Sequence, residues 1–420
     1  MKSNEIGCPL TYDTNQPKVG QIIRDLGESF LDRTPLSYDQ KRVFRRLGEC
    51  RTAVMGGGIW HCSSCNRTVG VYHSCRDRHC PNCKAMDRKK WTESRLAELL
   101  PIPYFHVVFT LPHELNNAIF RNPRQLLGLL FKAASKTLLE FAENPAHLGA
   151  QPGITMVLHT WGQQLKPHYH VHCIVTGGGL NQTRDQWIPS PKKDYLFPFK
   201  ALAKVFRGKY LSGMDEIKAD LDLDGISTER DWLAFKRRVG RKKKWVVYIK
   251  EPFGGPEQVI KYLAQYTNRI AISNNRIRSY QNGKVTFSYK DYKHNHQVKE
   301  LTLEAGIFIR RILLHVLPSG FHRIRYYGFL SSRQKTASID MAKRLLGAQH
   351  LADDLTSKFQ IEKEPEPESE KEDFERPCPH CDGVIRLSRT LQKTHQDLAR
   401  KALWSTDESR LTLKFYWDTS

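Results

Sequence analysis

Residues 154–179 read ITMVLHTWGQQLKPHYHVHCIVTGGG. The apolar runs ITMVLHTW and HYHVHCIVTGGG are predicted strands, joined by a polar turn, with three glycines ending the second. Side chains alternate along a strand, so His168, His170 and His172 share one face. A lone histidine in such a strand is more often a satisfied core residue. Three at a spacing of two are poor core material and point to metal ligation. His170 and His172 are the expected pair, because Val171 between them points the other way, into the core. A third ligand must come from a neighbouring strand. His159, near the end of the preceding strand, is the first candidate, with Gln163, Gln164, Gln265 and His168 as weaker ones. A site of two or three imidazoles with open positions would hold a divalent ion as a Lewis acid.

Working outward, YFHVVFTLP (104–112) and WVVYIKEP (245–252) read as further strands. Residues 124–143, 199–214, 228–240 and 307–318 carry helical periodicity, and 284–306 reads as a hairpin. The sum is an α+β pattern with a central, mainly antiparallel sheet flanked by helices. The segments divide into five units: a helical and metal-binding stretch 1–100, a sheet domain 101–330, a helix 331–360, an acidic linker 361–376 and a tail 377–420 with its own CxxC.

The chain has 420 residues, and 66 Lys and Arg against 44 Asp and Glu leave a net charge of +22. That balance argues for a polyanionic partner, nucleic acid first. The acidic run IEKEPEPESEKEDFE carries −6, so the remainder is more basic still, at +28. No apolar run approaches the length of a membrane helix, and the N-terminus lacks an apolar leader core. These features predict a soluble, cytoplasmic protein without membrane contact; they assign no oligomeric state.

Cys62–Cys65 and Cys80–Cys83 are two CxxC knuckles separated by a short hairpin, the spacing of a structural zinc site of four thiolates. His73, Cys75 and His79 lie between them, so the ligand set could be permuted or a second ion bound. Arg67, Arg76, Arg78, Lys84, Arg88, Lys89 and Lys90 surround the module and favour a role in nucleic-acid binding. Cys378 and Cys381 alone supply half a site.

In EQVIKYLAQYTNRIAI, Tyr262 and Tyr266 are four residues apart and would share a helix face. By itself this is a plain amphipathic stripe. Beside a histidine metal site it supplies what phosphodiester chemistry needs, a nucleophile, and no Ser-His-Asp or Cys-His signature competes. KRRVGRKKK places Lys236, Arg237, Arg238, Arg241, Lys242, Lys243 and Lys244 in nine residues, suited to phosphate contact. RIRYYGF interleaves Arg323 and Arg325 with aromatics, suited to stacking on single strands.

His-hydrophobic-His, followed ninety residues later by YxxxY and preceded by a Cys-rich module, resembles the two-tyrosine HUH transposases of the insertion-sequence 91 family. CRTAVMGGG, CSSCNR, YHSCRDRHCPNC, HTWGQQLKPHYHVHCIVTGGG, YLAQYTNRIAISN and GFHRIRYYGFL fit in order, covering residues 22–347. The resemblance implies a zinc-binding N-terminal domain and an HUH endonuclease domain. It implies Mg²⁺ or Mn²⁺ at His170 and His172, and Tyr262 and Tyr266 as nucleophiles. The implied activity is rolling-circle transposition of single-stranded DNA through 5′-phosphotyrosine intermediates. An HUH replication initiator or relaxase, or a non-enzymatic zinc-finger DNA-binding protein, are the alternatives. The last would leave HYHVH and YLAQY as coincidences.

Overall fold

The first described elements are helices α1 (Val19–Leu26), α2 (Ser29–Arg33) and α3 (Tyr38–Glu49). The computed structural model describes residues 17–83, 94–95, 98–192, 196–241, 245–250, 258, 271–292, 294–331, 333–348, 375–378 and 380–404. Ser37 starts α3 with a reciprocal cap: its hydroxyl accepts from the Gln40 N–H, and the Gln40 side chain accepts from the Ser37 N–H. Strands β1 (Gly57–Cys62) and β2 (Thr68–Tyr72) follow as an antiparallel hairpin.

The central sheet then builds from β3 (Tyr104–Thr110), β4 (Gln151–Trp161), β5 (Pro167–Leu180), the short β6 (Trp187–Pro189) and β7 (Val246–Lys250). Helices α4 (Asn116–Arg121) and α5 (Pro123–Glu143) lie between β3 and β4. Helices α6 (Phe199–Glu216) and α7 (Glu229–Val239) lie between β6 and β7. With β11 (Ile324–Gly328) the order is β11-β4-β5-β3-β7, β6 pairing with the end of β5, and every pairing is antiparallel. The expected α+β architecture with an antiparallel sheet flanked by helices is therefore the observed one.

The period of two assigns the two faces of this sheet. Phe105, Val107 and Phe109 on β3, Ile154, Met156 and Leu158 on β4, and Tyr169, Val171, Cys173 and Val175 on β5 enter one core with Leu130 and Leu138 of α5 and Leu202, Phe206 and Tyr210 of α6. The residues between them, including His106, His159, His170 and His172, are thrown onto the opposite face. A one-residue slip would drive the imidazoles into that core, so the helix-facing burial fixes the register on which the histidines depend. Gly328 ends β11 at φ 63°, where an added Cβ would lie 1.7 Å from the Pro152 carbonyl oxygen. Only glycine admits that approach.

A second sheet of order β10-β9-β8 comprises β8 (Ile277–Gln281), β9 (Lys284–Asp291) and β10 (Gln297–Glu304), followed by α8 (Ala305–Leu313). Ile22, Ile23, Val43, Phe44 and Leu47 of the first helices share a core with Ile277, Phe287, Phe308, Ile309 and Ile312. The N-terminal helices thus pack with residues well beyond 100, across the boundary drawn from the sequence. After α9 (Lys335–Leu345) the acidic run, except its last residue Glu375, lies outside the described residues. The C-terminal β12 (Arg376–Pro377), β13 (Val384–Thr390) and α10 (Lys393–Trp404) return to the N-terminal module. β13 pairs with β1, giving a four-stranded sheet β12-β13-β1-β2. Among the described residues no helix is long and apolar enough to cross a membrane.

Candidate functional site

β4 and β5 set His159 directly opposite His170, and His172 opposite Val157. The His159 ring lies 5.3 Å from that of His170 and 4.3 Å from that of His172, and His170 and His172 are 4.8 Å apart, centroid to centroid. One ligand nitrogen from each lies within 4.8 Å of the other two. Gln163 is directed elsewhere, its side chain bonding Tyr292 and the Lys290 N–H, and Gln265 lies outside the described residues.

His170 and His172 are neutral. Burial holds His170 well below the ordinary histidine range. Burial, with smaller repulsion from His106 and Lys250, lowers His172 to about 3. Neutral imidazole is the form that binds a metal. The His170 Nδ1–H donates to the His168 carbonyl at 2.9 Å, leaving Nε2 as the ligand atom. His172 Nδ1 lies 2.8 Å from Nε2 of His106 on β3, whose ring stacks beside it at 5.0 Å. With the proton on His172 Nδ1, His106 accepts and the His172 Nε2 carries the lone pair that an ion would take. This is how an outer partner fixes a ligand histidine. His106 escaped the sequence reading because a lone histidine in an apolar strand looks like core. Only the register exposes it: residue 108 lies opposite His172, and His106 is the diagonal neighbour.

The cysteines form two further clusters. Cys62, Cys65, Cys80 and Cys83, expected to share one ion, are not together. Cys80 and Cys83 join Cys50 and Cys75, while Cys62 and Cys65 join Cys378 and Cys381. In the first quartet the Sγ separations are 3.5 Å for Cys50–Cys83, 3.6 Å for Cys75–Cys83 and 3.5 Å for Cys80–Cys50. A tetrahedral zinc with Zn–S bonds near 2.3 Å has S···S edges of about 3.8 Å, so the donor set fits zinc. Hydrogen bonds from Cys50, Cys75 and Cys80 push the Cys83 thiol far down toward thiolate. Sequence spacing shows that knuckles exist but not which knuckles meet. Cys50, at the end of α3, belongs to no knuckle at all.

Comparison with known proteins adds two family models and two relatives. A model described as "Transposase zinc-binding domain" matches residues 22–111, and one described as "Putative transposase" matches residues 153–337. "Putative transposase y4qJ" of Sinorhizobium fredii is 44% identical over 340 residues, covering 79% of this chain and 84% of that protein. "Transposase for insertion sequence element IS801" of Pseudomonas savastanoi is 30% identical over 292 residues, covering 68% of each. The chain belongs to the insertion-sequence 91 family of transposases. A solved relaxase, "The structure of TrwC complexed with a 27-mer DNA comprising the recognition hairpin and the cleavage site", aligns at a TM-score of 0.23 and 12% identity over 57% of this chain and 73% of that one, too faint to build on.

In this transposase Tyr262 and Tyr266 lie outside the described residues, as do Lys242, Lys243 and Lys244. The strand that leads toward them is described: β7 ends at Lys250, which pairs with His106. Arg237, Arg238 and Arg241 are exposed, whereas Lys236 is tied to Asp215 at 2.5 Å. Arg325 lies over the rings of Phe131 at 4.3 Å and Phe321 at 5.1 Å, and burial with nearby Arg78 lowers Arg323 to about 10. These two arginines are built into the protein rather than presented as a free basic edge. The same holds for Arg78 of the zinc module, whose guanidinium donates to the carbonyls of Phe321, Leu317 and Pro318. His79 beside it bonds Asp77 at 2.8 Å and accepts from the Leu317 N–H. Both fasten the module to the segment leading into β11.

Proposed function

We propose that the transposase is a metal-dependent nuclease and strand transferase acting on single-stranded DNA at the ends of an insertion sequence, moving it by a rolling-circle route. The observation that carries this reading is the convergence of three imidazoles on one face of the sheet, His159 and His170 buried and His172 half-buried, with His170 and His172 held neutral. Such a set has no use in a core and matches a divalent cation with open coordination positions. Of Mg²⁺ and Mn²⁺, an all-imidazole set suits Mn²⁺ better, since Mg²⁺ prefers oxygen ligands. When bound, the cation would draw electron density from a non-bridging oxygen of the scissile phosphate.

The protein's own groups supply the rest. Tyr262 or Tyr266 loses its phenolic proton, and the Oη attacks phosphorus. The bond to the 3′ oxygen breaks, that oxygen takes up a proton, and the 5′ phosphate remains esterified to tyrosine. A 3′-hydroxyl attacking that ester reverses the step and rejoins strands without an external energy source. With two tyrosines, one can hold the first 5′ end while the other cleaves the next junction or the target. Arg237, Arg238 and Arg241, with Lys242, Lys243 and Lys244, supply phosphate contacts, and Cys50, Cys75, Cys80 and Cys83 hold a structural zinc.

The test is covalent trapping of labelled single-stranded DNA from the element ends on a denaturing gel. A labelled protein band that requires Mn²⁺ or Mg²⁺ and is abolished by His170→Ala is expected. DNA binding without an adduct would instead favour a purely DNA-binding protein.

A further inference from the structure

We propose that Cys62, Cys65, Cys378 and Cys381 form a second zinc site, which clasps the C-terminal segment onto the N-terminal module. The zinc-binding family model ends at residue 111 and the transposase model at 337, so neither reaches Cys378 or Cys381. The two knuckles are 313 residues apart, yet Cys65 and Cys378 Sγ lie 3.7 Å apart, and Cys62 and Cys381 Sγ 3.6 Å. Those are the edges of a zinc tetrahedron and nearly twice a sulfur–sulfur bond. No thiol is shared with the Cys50 quartet.

The surroundings are those of a paired knuckle site. The N–H groups of His380 and Gly383 point at Cys378 and Cys381 Sγ, at 3.5 and 3.4 Å, as outer partners of thiolates do. The Cys378 N–H closes the second knuckle on the Gly383 carbonyl at 2.7 Å. A Cβ on Gly383 would meet the Ser64 Oγ at 2.3 Å, so the tips of the two knuckles touch. His380 is exposed and leaves coordination to the thiols. The buried apolar cluster here comprises Trp60, Cys62, Cys378 and Ile385, with Cys65, Val71 and Cys381 against it, so four of these seven residues are thiols. This core is small, and a bound ion would add to it in holding β13 against β1. The clasp keeps β13 on the edge of β1 and, beyond it, α10 against α3, where Trp404 meets the Phe44 ring at 5.9 Å and donates to Glu49. Without it β1 would present an open strand edge.

Zinc content and site-resolved alkylation of the full-length chain test this. The zinc-loaded wild type should hold two thiolate-bound zinc ions, counted as the zinc that a mercurial reagent releases from cysteine and so apart from any ion at the histidine centre, with Cys50, Cys62, Cys65, Cys75, Cys80, Cys83, Cys378 and Cys381 all protected from N-ethylmaleimide. In the Cys378→Ser/Cys381→Ser variant the content should fall to one, and Cys62 and Cys65 should become reactive while the Cys50 quartet stays protected. That persistent protection is the control for folding. The proposal is overturned if the wild type holds one zinc, if Cys378 and Cys381 are labelled in the loaded wild type, or if Cys62 and Cys65 stay protected in the variant. The wild-type arms decide even if the variant fails to fold.

Discussion

His106 is the residue whose replacement tells most about the histidine centre. Its Nε2 is 2.8 Å from His172 Nδ1, and burial lowers it to about 3, so it is neutral at ordinary pH and is the acceptor when His172 carries its proton on Nδ1. His106→Phe keeps an aromatic ring of similar volume on β3 and removes the acceptor. A buried donor left without its partner costs about 1–3 kcal/mol. Loss of an outer partner of a ligand histidine weakens metal affinity by roughly 10–100-fold, or about 1.4–2.7 kcal/mol. Both routes give the same size of effect. Mn²⁺ binding to a chain carrying zinc at its cysteine sites only, followed by calorimetry, should therefore weaken by one to two orders of magnitude, with the thermal transition lowered by the lost hydrogen bond. His106→Gln restores an acceptor oxygen and should recover part of the affinity. A His106→Phe chain binding Mn²⁺ within about twofold of wild type would refute the reasoning, because the His172 tautomer would then not depend on His106.

Three other outcomes follow from the structure. His315 is buried between Thr160 and the Leu165 carbonyl, and burial lowers it to about 4. The unfolded chain takes up that proton near pH 6.5, so stability is complete above that pH and falls by up to about 3 kcal/mol as pH drops to 4; denaturant midpoints against pH should show this, and His315→Gln should flatten the slope. Gly328→Ala puts a Cβ against Pro152 at positive φ, so amide exchange along the β4–β11 pairing should quicken by about 30-fold, or about 2 kcal/mol, while Gly208→Ala, open on α6, should not slow or speed it appreciably. Arg237→Ala/Arg238→Ala/Arg241→Ala should weaken single-strand binding and lower the slope of log K against log salt by about 2, read from titrations at several ionic strengths.

What the sequence discloses depends on how local each interaction is. The β4–β5 hairpin and its histidine face follow from a period of two over a few residues, so the pairing of His159 with His170 lies within reach of pattern reading. The cysteine partners do not. A knuckle is local, but the meeting of Cys62 and Cys65 with residues beyond a long acidic run is tertiary, and Cys50 carries no spacing signal. Charge misleads similarly: Arg78 looks like a phosphate contact until its three carbonyl acceptors are seen. The packing of the N-terminal helices is tertiary in the same way, since α1 and α3 need the apolar faces of β9 and α8 to close their core.

Mapping the covalent adduct tests the central claim most directly. Wild-type chain is incubated with end-derived single-stranded DNA and Mn²⁺, the adduct is digested with nuclease and protease, and the nucleotide-bearing residue is located by tandem mass spectrometry. The account predicts the nucleotide on Tyr262 or Tyr266, with no adduct from His170→Ala or from the Tyr262→Phe/Tyr266→Phe double variant. An adduct on any other residue, or one formed undiminished by those variants, would contradict it.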